Sequence, residues 1–228
     1  MEQAVILAGG QGTRLRPFTD ERPKAMVEVA GTPIVEHQVR WLHDNGIEDI
    51  VISCGYRAEV MMKYLGDGDI YGTRIEYAVE ETPLGRGGGL KFAARHLAFP
   101  DQRWIAVNGD VLCDFPLSEL EGQHERLGVT ATIALAEYQT SWGIADLEGD
   151  LIKGFVQSPK LPYWINAGVY CFEPGLIDLL PDEGDHEEST FPDLARSGKL
   201  GAYKITGYWK GIDTSKDIDQ AAADLQGR

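Results

Sequence analysis

Basic residues are scarce in this chain of 228 residues: 21 Lys and Arg stand against 36 Asp and Glu, for a formal net charge of −15. A field of that sign repels nucleic-acid phosphates, and no basic stripe in the sequence reverses it, so nucleic-acid binding is disfavoured. Any site for an anion in this protein must therefore depend on a local basic cluster or on a bound metal ion.

Long apolar runs and cysteines are also few. No stretch approaches the roughly 20 apolar residues of a membrane-spanning helix, and the start of the chain lacks the basic segment and apolar core of a signal peptide. The three cysteines lie in the apolar segments VISCGY, VLCDF and VYCFE, which predicts reduced thiols in core strands rather than disulfides or a metal site. We expect a cytoplasmic protein with no membrane partner.

What the chain does have is a short apolar strand followed by a glycine-rich loop and a basic cluster, AVILAGGQGTRLRPFTDERPK. Gly9, Gly10 and Gly12 lack a Cβ atom, so the backbone can take positive φ angles and bring its N–H groups close to phosphate oxygens. Thr13 adds a hydroxyl group, and Arg14 adds a planar guanidinium group suited to phosphate. The combination predicts a polyphosphate site, and hence a nucleoside triphosphate as ligand.

Two better-known glycine-rich loops do not fit this segment. A Walker A loop ends in Gly-Lys-Ser/Thr, which is missing here. The dinucleotide-binding loop requires a third glycine where Leu15 stands, and an acid near the end of the second strand, where the chain has Ser53 and Cys54.

The segment LAGGQGTRLRPFT…RPKAMVEVAGTPIVEH resembles the signature of the sugar-1-phosphate nucleotidyltransferases. Later segments extend the resemblance over nearly the whole chain: PLGRGGG, VNGDVL, INAGVY and GYWKGIDTSKD. The short form is similar to the mannose- and heptose-1-phosphate guanylyltransferases and to the glucose-1-phosphate cytidylyltransferases. The resemblance implies an enzyme that uses Mg²⁺ to join a nucleoside triphosphate to a sugar 1-phosphate, giving an NDP-sugar and pyrophosphate.

Apolar periodicity predicts alternating strands and helices in the first half of the chain. The predicted strands are residues 4–7, 49–54, 74–79 and 103–107, and the predicted helices are residues 33–45, 58–65 and 87–97. In the second half, short strands follow at hairpin-like intervals, at residues 129–136, 143–147, 151–156 and 165–172.

These elements predict an α/β fold with a Rossmann-like, doubly wound, mostly parallel sheet. The resemblance identifies it as the nucleotide-diphospho-sugar transferase fold. We expect a single domain, residues 1–228, in which residues 1–127 bind the nucleotide and the strand-rich residues 128–228 bind the sugar.

Ligands of such sheets bind at the carboxyl ends of the parallel strands, where the glycine loop, Glu80 and Asp110 all fall. The resemblance implies a nucleotide-binding role for further residues of the same motifs: Leu7, Ala8, Pro83, Gly85, Asn108 and Gly109. From their charge, Arg14 is expected to hold the β- and γ-phosphates and Lys24 the α-phosphate, so we expect both to be catalytic together with Asp110.

Asp110 closes an apolar strand above the phosphate loop, where a carboxylate suits Mg²⁺, and the resemblance assigns it to the metal. The family's second metal acid usually stands in an Asp-x-Gly-Thr pattern, whereas this chain reads Gly-Ile-Asp-Thr from residue 211 on, an order similar to that of the glucose-1-phosphate cytidylyltransferases. Asp213 is therefore the expected second ligand, and Asp217 is the weaker alternative.

Glu80 is the candidate for reading the base. Its carboxylate only accepts hydrogen bonds, and guanine offers two adjacent donors, whereas uracil and thymine offer one and cytosine places an acceptor beside its donor. GTP is favoured on this ground, with UTP or dTTP next, while the C-terminal segment resembles enzymes that use CTP.

On the acceptor side, the resemblance implies that Asn166 contacts sugar hydroxyl groups and that the backbone of Gly143 meets the sugar. The family normally has Glu-Lys-Pro where this chain has Gln157-Ser158-Pro159, so Ser158 takes the place of the lysine that binds the sugar phosphate. Lys160 is the candidate substitute. Because of this departure the identity of the acceptor stays open, and an unusual sugar phosphate or a cyclitol phosphate is among the alternatives.

Two other functions stay open at this point. The displaced Asp213 is compatible with a catalytically silent NTP-binding regulatory subunit, and the same loop could serve a nucleotidyltransferase for a non-sugar phosphate such as phosphocholine. A homodimer is one arrangement that the sequence leaves open.

Overall fold

Strands and helices alternate in the first half of the chain and strands dominate the second, in a computed structural model that describes residues 1–227. The strands are β1 (Gln3–Leu7), β2 (Glu28–Val29), β3 (Thr32–Pro33), β4 (Asp49–Cys54), β5 (Arg74–Val79), β6 (Trp104–Asn108), β7 (Val111–Asp114), β8 (Ala131–Gln139), β9 (Gly143–Glu148), β10 (Leu151–Gln157), β11 (Lys160–Phe172), β12 (Leu200–Lys204) and β13 (Tyr208–Gly211). The helices are α1 (Ile34–Asp44), α2 (Ala58–Leu65), α3 (Gly85–Ala94), α4 (Leu117–Leu127), α5 (Thr190–Arg196) and α6 (Ser215–Gln226).

Seven of these strands form one central sheet, in the order β12-β8-β11-β6-β1-β4-β5. Strands β6, β1, β4 and β5 are parallel to one another, β11 is antiparallel to both β6 and β8, and β12 is parallel to β8. The predicted α/β class with a mostly parallel sheet is thus confirmed, and strands from both halves of the chain share that sheet.

Strand β1 shows why helices cover both faces of the sheet. Ala4 and Ile6 pack in one buried cluster with Leu42 of α1, whereas Val5 packs in another with Leu90 of α3. Because successive side chains of a strand point to opposite faces, a strand with four apolar residues in a row, such as Ala4 to Leu7, is expected to be buried on both sides. Helices therefore cover both faces of the sheet.

Helix α3 differs from the prediction. It was expected at residues 87–97, but it runs from Gly85 to Ala94 and includes the whole glycine run, although glycines are poor helix formers. A Cβ atom on Gly87 would lie 2.6 Å from the ring of Pro181, and one on Gly88 would lie 2.5 Å from the carbonyl oxygen of Asp182. The glycines therefore let the segment 181–187 pack directly on the helix, and this packing outweighs their low helix propensity.

The three cysteines lie in strands as free thiols, with Cys54 and Cys171 buried, as the sequence predicted. Burial raises the pKa of the Cys54 thiol to about 11, so that thiol stays protonated near neutral pH. Among residues 1–227, no helix combines the length and the apolar character that crossing a membrane requires.

His186, in the segment that packs on α3, makes stability depend on pH. Its ring is fully buried against Tyr170 and Phe191, and neither ring nitrogen has a hydrogen-bond partner within the described chain. Burial lowers the pKa of this imidazole to about 4, against the opposing charge of Asp185. The unfolded state is therefore protonated first as the pH falls below about 6.5, which destabilises the native state.

We expect the His186→Leu variant to lose less stability than the wild type between pH 7 and pH 5, by about 2 kcal/mol. The measurement is the free energy of unfolding from urea titrations at the two pH values. A replacement of the exposed His43 by Gln is the control, and it should follow the wild type. Parallel pH dependences of the unfolding free energy for wild type and His186→Leu would show that His186 does not cause the loss of stability at low pH.

Candidate active site

A crevice opens along the carboxyl ends of β6, β1, β4 and β5 and encloses a cavity of about 540 Å³. Most residues that the sequence assigned to the nucleotide line it. They are Leu7, Ala8, Gly9, Gly10, Lys24, Glu80, Pro83, Gly85, Asn108, Gly109 and Asp110. Strand ends that are far apart in the sequence therefore converge on one site, as expected for a sheet of this kind.

The glycine loop has a more divided role than the sequence suggested. Positive φ angles were expected for its glycines, but of the three only Gly12 takes one, at 62°. A Cβ atom there would lie 2.9 Å from the Cβ atom of Lys24, so Gly12 allows that lysine to approach closely. Gly12 and Thr13 lie outside the cavity lining, whereas Gly10 has open space where a Cβ atom would be.

Lys24 joins the two acids that were expected to bind the metal. Its Nζ donates to Asp110 Oδ2 at 2.7 Å and to Asp213 Oδ1 at 2.7 Å, and its side chain is only 13% exposed. Arg14 Nη2 donates to the same Asp213 oxygen at 2.8 Å. Two cationic and two anionic side chains from distant parts of the chain therefore meet at the edge of the cavity.

Pairing of β7 with β13 explains how Asp213 reaches this point although the usual pattern of the acid is displaced. The two strands are antiparallel, with Gly211 opposite Val111, and the N–H of Ile212 donates to the carbonyl oxygen of Asp110 at 2.8 Å. Ile212 is fully buried, which anchors the chain one residue before Asp213. The register of this strand pair thus sets the two carboxylates side by side.

Asp217, the weaker metal candidate, caps a helix. Its Oδ2 accepts hydrogen bonds from the backbone N–H groups of Asp213 and Thr214, while the Thr214 side chain accepts from the N–H of Asp217. This is a capping box at the start of α6. Asp217 therefore acts on the site through the backbone of Asp213.

The donor set at Asp110 and Asp213 fits a hard divalent cation. The two side chains are 38% and 45% exposed, so solvent and substrate oxygens can reach them. Among residues 1–227 no group of three or more His, Cys, Asp and Glu is placed to enclose a metal on its own. Mg²⁺ is usually held in this way, by one or two carboxylates with substrate phosphates completing the shell.

Glu80 is fixed on the opposite side of the cavity. Its Oε1 accepts a hydrogen bond from Ser53 Oγ at 3.0 Å, and its Oε2 accepts one from the N–H of Leu84 at 3.0 Å. Gly89 leaves room for it, since a Cβ atom there would lie 2.6 Å from Oε1. A carboxylate has about four lone-pair positions, so two remain for the donors of a base. In the sequence, Ser53 served only as an argument against a dinucleotide-binding loop. The sequence did not predict that Ser53 would hold the Glu80 carboxylate in place.

The residues predicted to bind the acceptor do not line the cavity. Gly143 lies at the start of the separate β9–β10 hairpin, where the ring of Phe155 fills the space that a Cβ atom would need. Lys160, the expected substitute for the missing lysine, is well exposed and forms an ion pair with Glu137. The structure thus does not bring Lys160 together with the other site residues.

Asn166 belongs to a network that the sequence did not reveal. Its Nδ2 donates to Glu187 Oε1 at 3.0 Å and to the hydroxyl oxygen of Tyr170 at 2.9 Å. Arg86, which lines the cavity, donates to the same Glu187 oxygen at 2.9 Å. The only signal in the sequence was an arginine within the glycine run of PLGRGGG and a pair of glutamates far downstream.

Comparisons with known proteins show which proteins this chain is similar to. A family model described as nucleotidyl transferase matches residues 3–227. A mannose-1-phosphate guanyltransferase from Debaryomyces hansenii is 38% identical over 225 residues, which cover 95% of this chain and 62% of that protein. The same enzyme from Candida albicans is 37% identical over 225 residues, with the same coverage. The chain thus spans less than two thirds of the length of these relatives.

Solved structures share the fold. HddC from Yersinia pseudotuberculosis complexed with GMP-PN has a TM-score of 0.78 and 25% identity, and covers 99% of this chain and 100% of that one. A structure from Bacillus anthracis, provisionally described as a glucose-1-phosphate thymidylyltransferase, has a TM-score of 0.79 and 21% identity, with 100% of this chain and 96% of that one covered. The fold expected from the sequence is confirmed by these similarities.

Proposed function

Because this chain belongs to the nucleotidyl transferase family, we propose that it joins a nucleoside triphosphate to a sugar 1-phosphate and releases pyrophosphate. The names of its relatives lead us to propose GTP and mannose 1-phosphate as the substrates. The observation that carries the proposal is the contact of Lys24 with both Asp110 and Asp213, at the edge of a cavity whose other side holds Glu80.

Different residues of the crevice bind different parts of the nucleotide. Glu80 accepts hydrogen bonds from the two adjacent donors of guanine, and the open space at Gly10 lets phosphate oxygens approach the backbone. Arg14 binds the β- and γ-phosphates that leave as pyrophosphate. Residues 1–127 thereby supply most of the nucleotide side, and residues 128–228 supply the acceptor side and Asp213.

The reaction needs no protein nucleophile. An oxygen of the acceptor phosphate attacks the α-phosphorus in line, one P–O bond forms, and the bond from the α-phosphorus to the leaving pyrophosphate breaks. The attacking phosphate is already ionised at neutral pH, so no general base is required. Catalysis then consists of positioning and charge neutralisation, in which the Lys24 ammonium group balances the negative charge at the α-phosphate.

Asp110 and Asp213 would hold Mg²⁺ in this reaction. When bound, the ion supplies positive charge that reduces the repulsion between the two phosphates. In the protein alone, Lys24 already holds both carboxylates within 2.7 Å of one nitrogen, so the acids are arranged before any substrate arrives. This arrangement supports an active enzyme over a silent regulatory subunit. The regulatory alternative was considered because Asp213 is displaced from the family's usual pattern.

The test is pyrophosphate release by the purified chain with Mg²⁺, using GTP, UTP, dTTP, CTP and ATP in turn. Each nucleotide is combined with mannose 1-phosphate, glucose 1-phosphate and phosphocholine. We expect release with GTP and mannose 1-phosphate, together with an equal amount of GDP-mannose, and its loss in the Asp110→Asn variant. Pyrophosphate release with phosphocholine alone would favour a nucleotidyltransferase for a non-sugar phosphate. No release with any pair, together with intact GTP binding, would favour a regulatory subunit.

A further inference from the structure

Glu187 presents one saturated and one open carboxylate oxygen. Its Oε1 accepts three hydrogen bonds, from Arg86 Nη1 at 2.9 Å, Asn166 Nδ2 at 3.0 Å and the Tyr170 hydroxyl group at 3.3 Å. Its Oε2 accepts none from the described residues 1–227, and the side chain is only 26% exposed. Solvent reaches this oxygen, so it is free to accept a hydrogen bond from a ligand.

Glu187 is not needed to neutralise Arg86. The guanidinium group already has a two-point partner, because both its Nε, at 2.8 Å, and its Nη2 donate to Asp185 Oδ2. Glu187 therefore adds a second negative charge to an arginine that is already paired. A purely structural ion pair would not require it.

The backbone around Glu187 is held firmly against α3. The N–H of Gly87 donates to the carbonyl oxygen of Gly184 at 2.8 Å, and the N–H of Gly184 donates to that of Leu84 at 2.8 Å. His186, the neighbour of Glu187 in the chain, is fully buried. Because the glycine run of α3 allows this close packing, the Glu187 carboxylate is presented from a rigid segment, as a binding group should be.

Glu187 lies between the acceptor side and the nucleotide crevice. Asn166, one of its partners, is the residue expected to contact sugar hydroxyl groups, and Arg86, another, lines the cavity that Asp110 also lines. Burial raises the pKa of the Glu187 carboxyl group against the opposing charge of Arg86, and the negative charges of Asp185 and Asp110 add to the rise.

We propose that Glu187 determines acceptor specificity, because its open oxygen accepts a hydrogen bond from a hydroxyl group of the sugar 1-phosphate, next to Asn166. This inference rests on the proposed function. It also gives the acceptor side a charged group although the hairpin carries the uncharged Gln157 and Ser158 where the family has Glu and Lys. An acceptor without hydroxyl groups, such as phosphocholine, gains nothing from this contact.

The first test compares Glu187→Gln with Glu188→Gln, a replacement of the exposed neighbouring carboxylate that is outside the network. We expect KM for mannose 1-phosphate to rise about 10- to 100-fold in Glu187→Gln, with KM for GTP and the melting temperature unchanged. Glu188→Gln should behave as the wild type. A lower melting temperature with unchanged KM for the acceptor would show a merely structural role and overturn the proposal.

Acceptor analogues that each lack one hydroxyl group give a signature that a structural role cannot produce. The wild type should lose about 10-fold or more in kcat/KM with one particular deoxy analogue, whereas Glu187→Gln should show little further loss with that analogue. Equal losses in both proteins for every analogue would show that no hydroxyl group binds Glu187.

A binding measurement separates failure of this inference from failure of the proposed function. Mannose 1-phosphate is titrated calorimetrically into the protein saturated with a GTP analogue whose α–β bridging oxygen is replaced by a methylene group, so that the bond broken in the reaction stays intact. Weaker binding by Glu187→Gln supports the inference even if the wild type makes no GDP-mannose, in which case only the proposed activity fails. Equal affinities, or no binding by the wild type, overturn the inference whatever the turnover.

Discussion

Replacing Lys24 by alanine is expected to lower kcat by about 10²- to 10³-fold while the fold survives. The Nζ of Lys24 lies 2.7 Å from an oxygen of Asp110 and 2.7 Å from one of Asp213, and no other cation of the described chain contacts both acids. Without the ammonium group, one positive charge is lost that would offset the negative charges of the reacting phosphates and of the two carboxylates. The loss falls on kcat because this charge develops around the α-phosphate during the reaction.

Folding should tolerate this change because Asp110 and Asp213 are each more than a third exposed, so water solvates them when the lysine is removed. Lys63→Ala, at an exposed position of α2, is the matched control and should keep wild-type turnover and melting temperature. Lys24→Arg should not restore activity, since a planar guanidinium group does not replace a compact ammonium ion between two carboxylates. Near-normal turnover of Lys24→Ala would remove this lysine from the mechanism.

Local patterns predicted the elements whose apolar periodicity is regular. The predicted strands 49–54 and 74–79 and the predicted helix 58–65 coincide with β4, β5 and α2. Helix α4 was missed, because its buried stripe includes the fully buried His124 and its sequence contains a glycine. The polar side chain there interrupts the pattern on which a helix is recognised, although the packing of α4 is that of an ordinary amphipathic helix.

The site divides in the same way between local and tertiary information. The glycine loop, Glu80 and Asp110 were predictable because each stands at the end of its own apolar strand. The nearness of Asp213 to Asp110 depends on the register of β7 with β13, which no local pattern encodes. The contacts of Arg86 with residues 185 and 187 depend on a segment packing on the glycines of α3, about a hundred residues away in the chain.

Replacing Glu80 by glutamine is expected to lower kcat/KM for GTP by about 10²-fold, and to lower that for UTP much less. Guanine offers two adjacent N–H donors, and a glutamine side chain presents one acceptor and one donor in place of two acceptors. ITP, whose base lacks the 2-amino group, separates the two hydrogen bonds. The wild type should discriminate against ITP, and the Glu80→Gln variant should discriminate less.

Gly89→Ala tests the same contact without touching the carboxylate. A Cβ atom on Gly89 would lie 2.6 Å from Glu80 Oε1, so the side chain must shift and its preference for guanine should weaken in the same direction. Glu59→Gln, at an exposed position of α2, is the control for the loss of one negative charge. If Glu80 only fixes the loop through Ser53 and the N–H of Leu84, the oxygen of Gln can still accept from one of them, and the ratio of GTP to ITP activity stays at the wild-type value. That outcome would assign guanine recognition to another group, whereas parallel losses in Glu80→Gln and Gly89→Ala would assign it to this carboxylate.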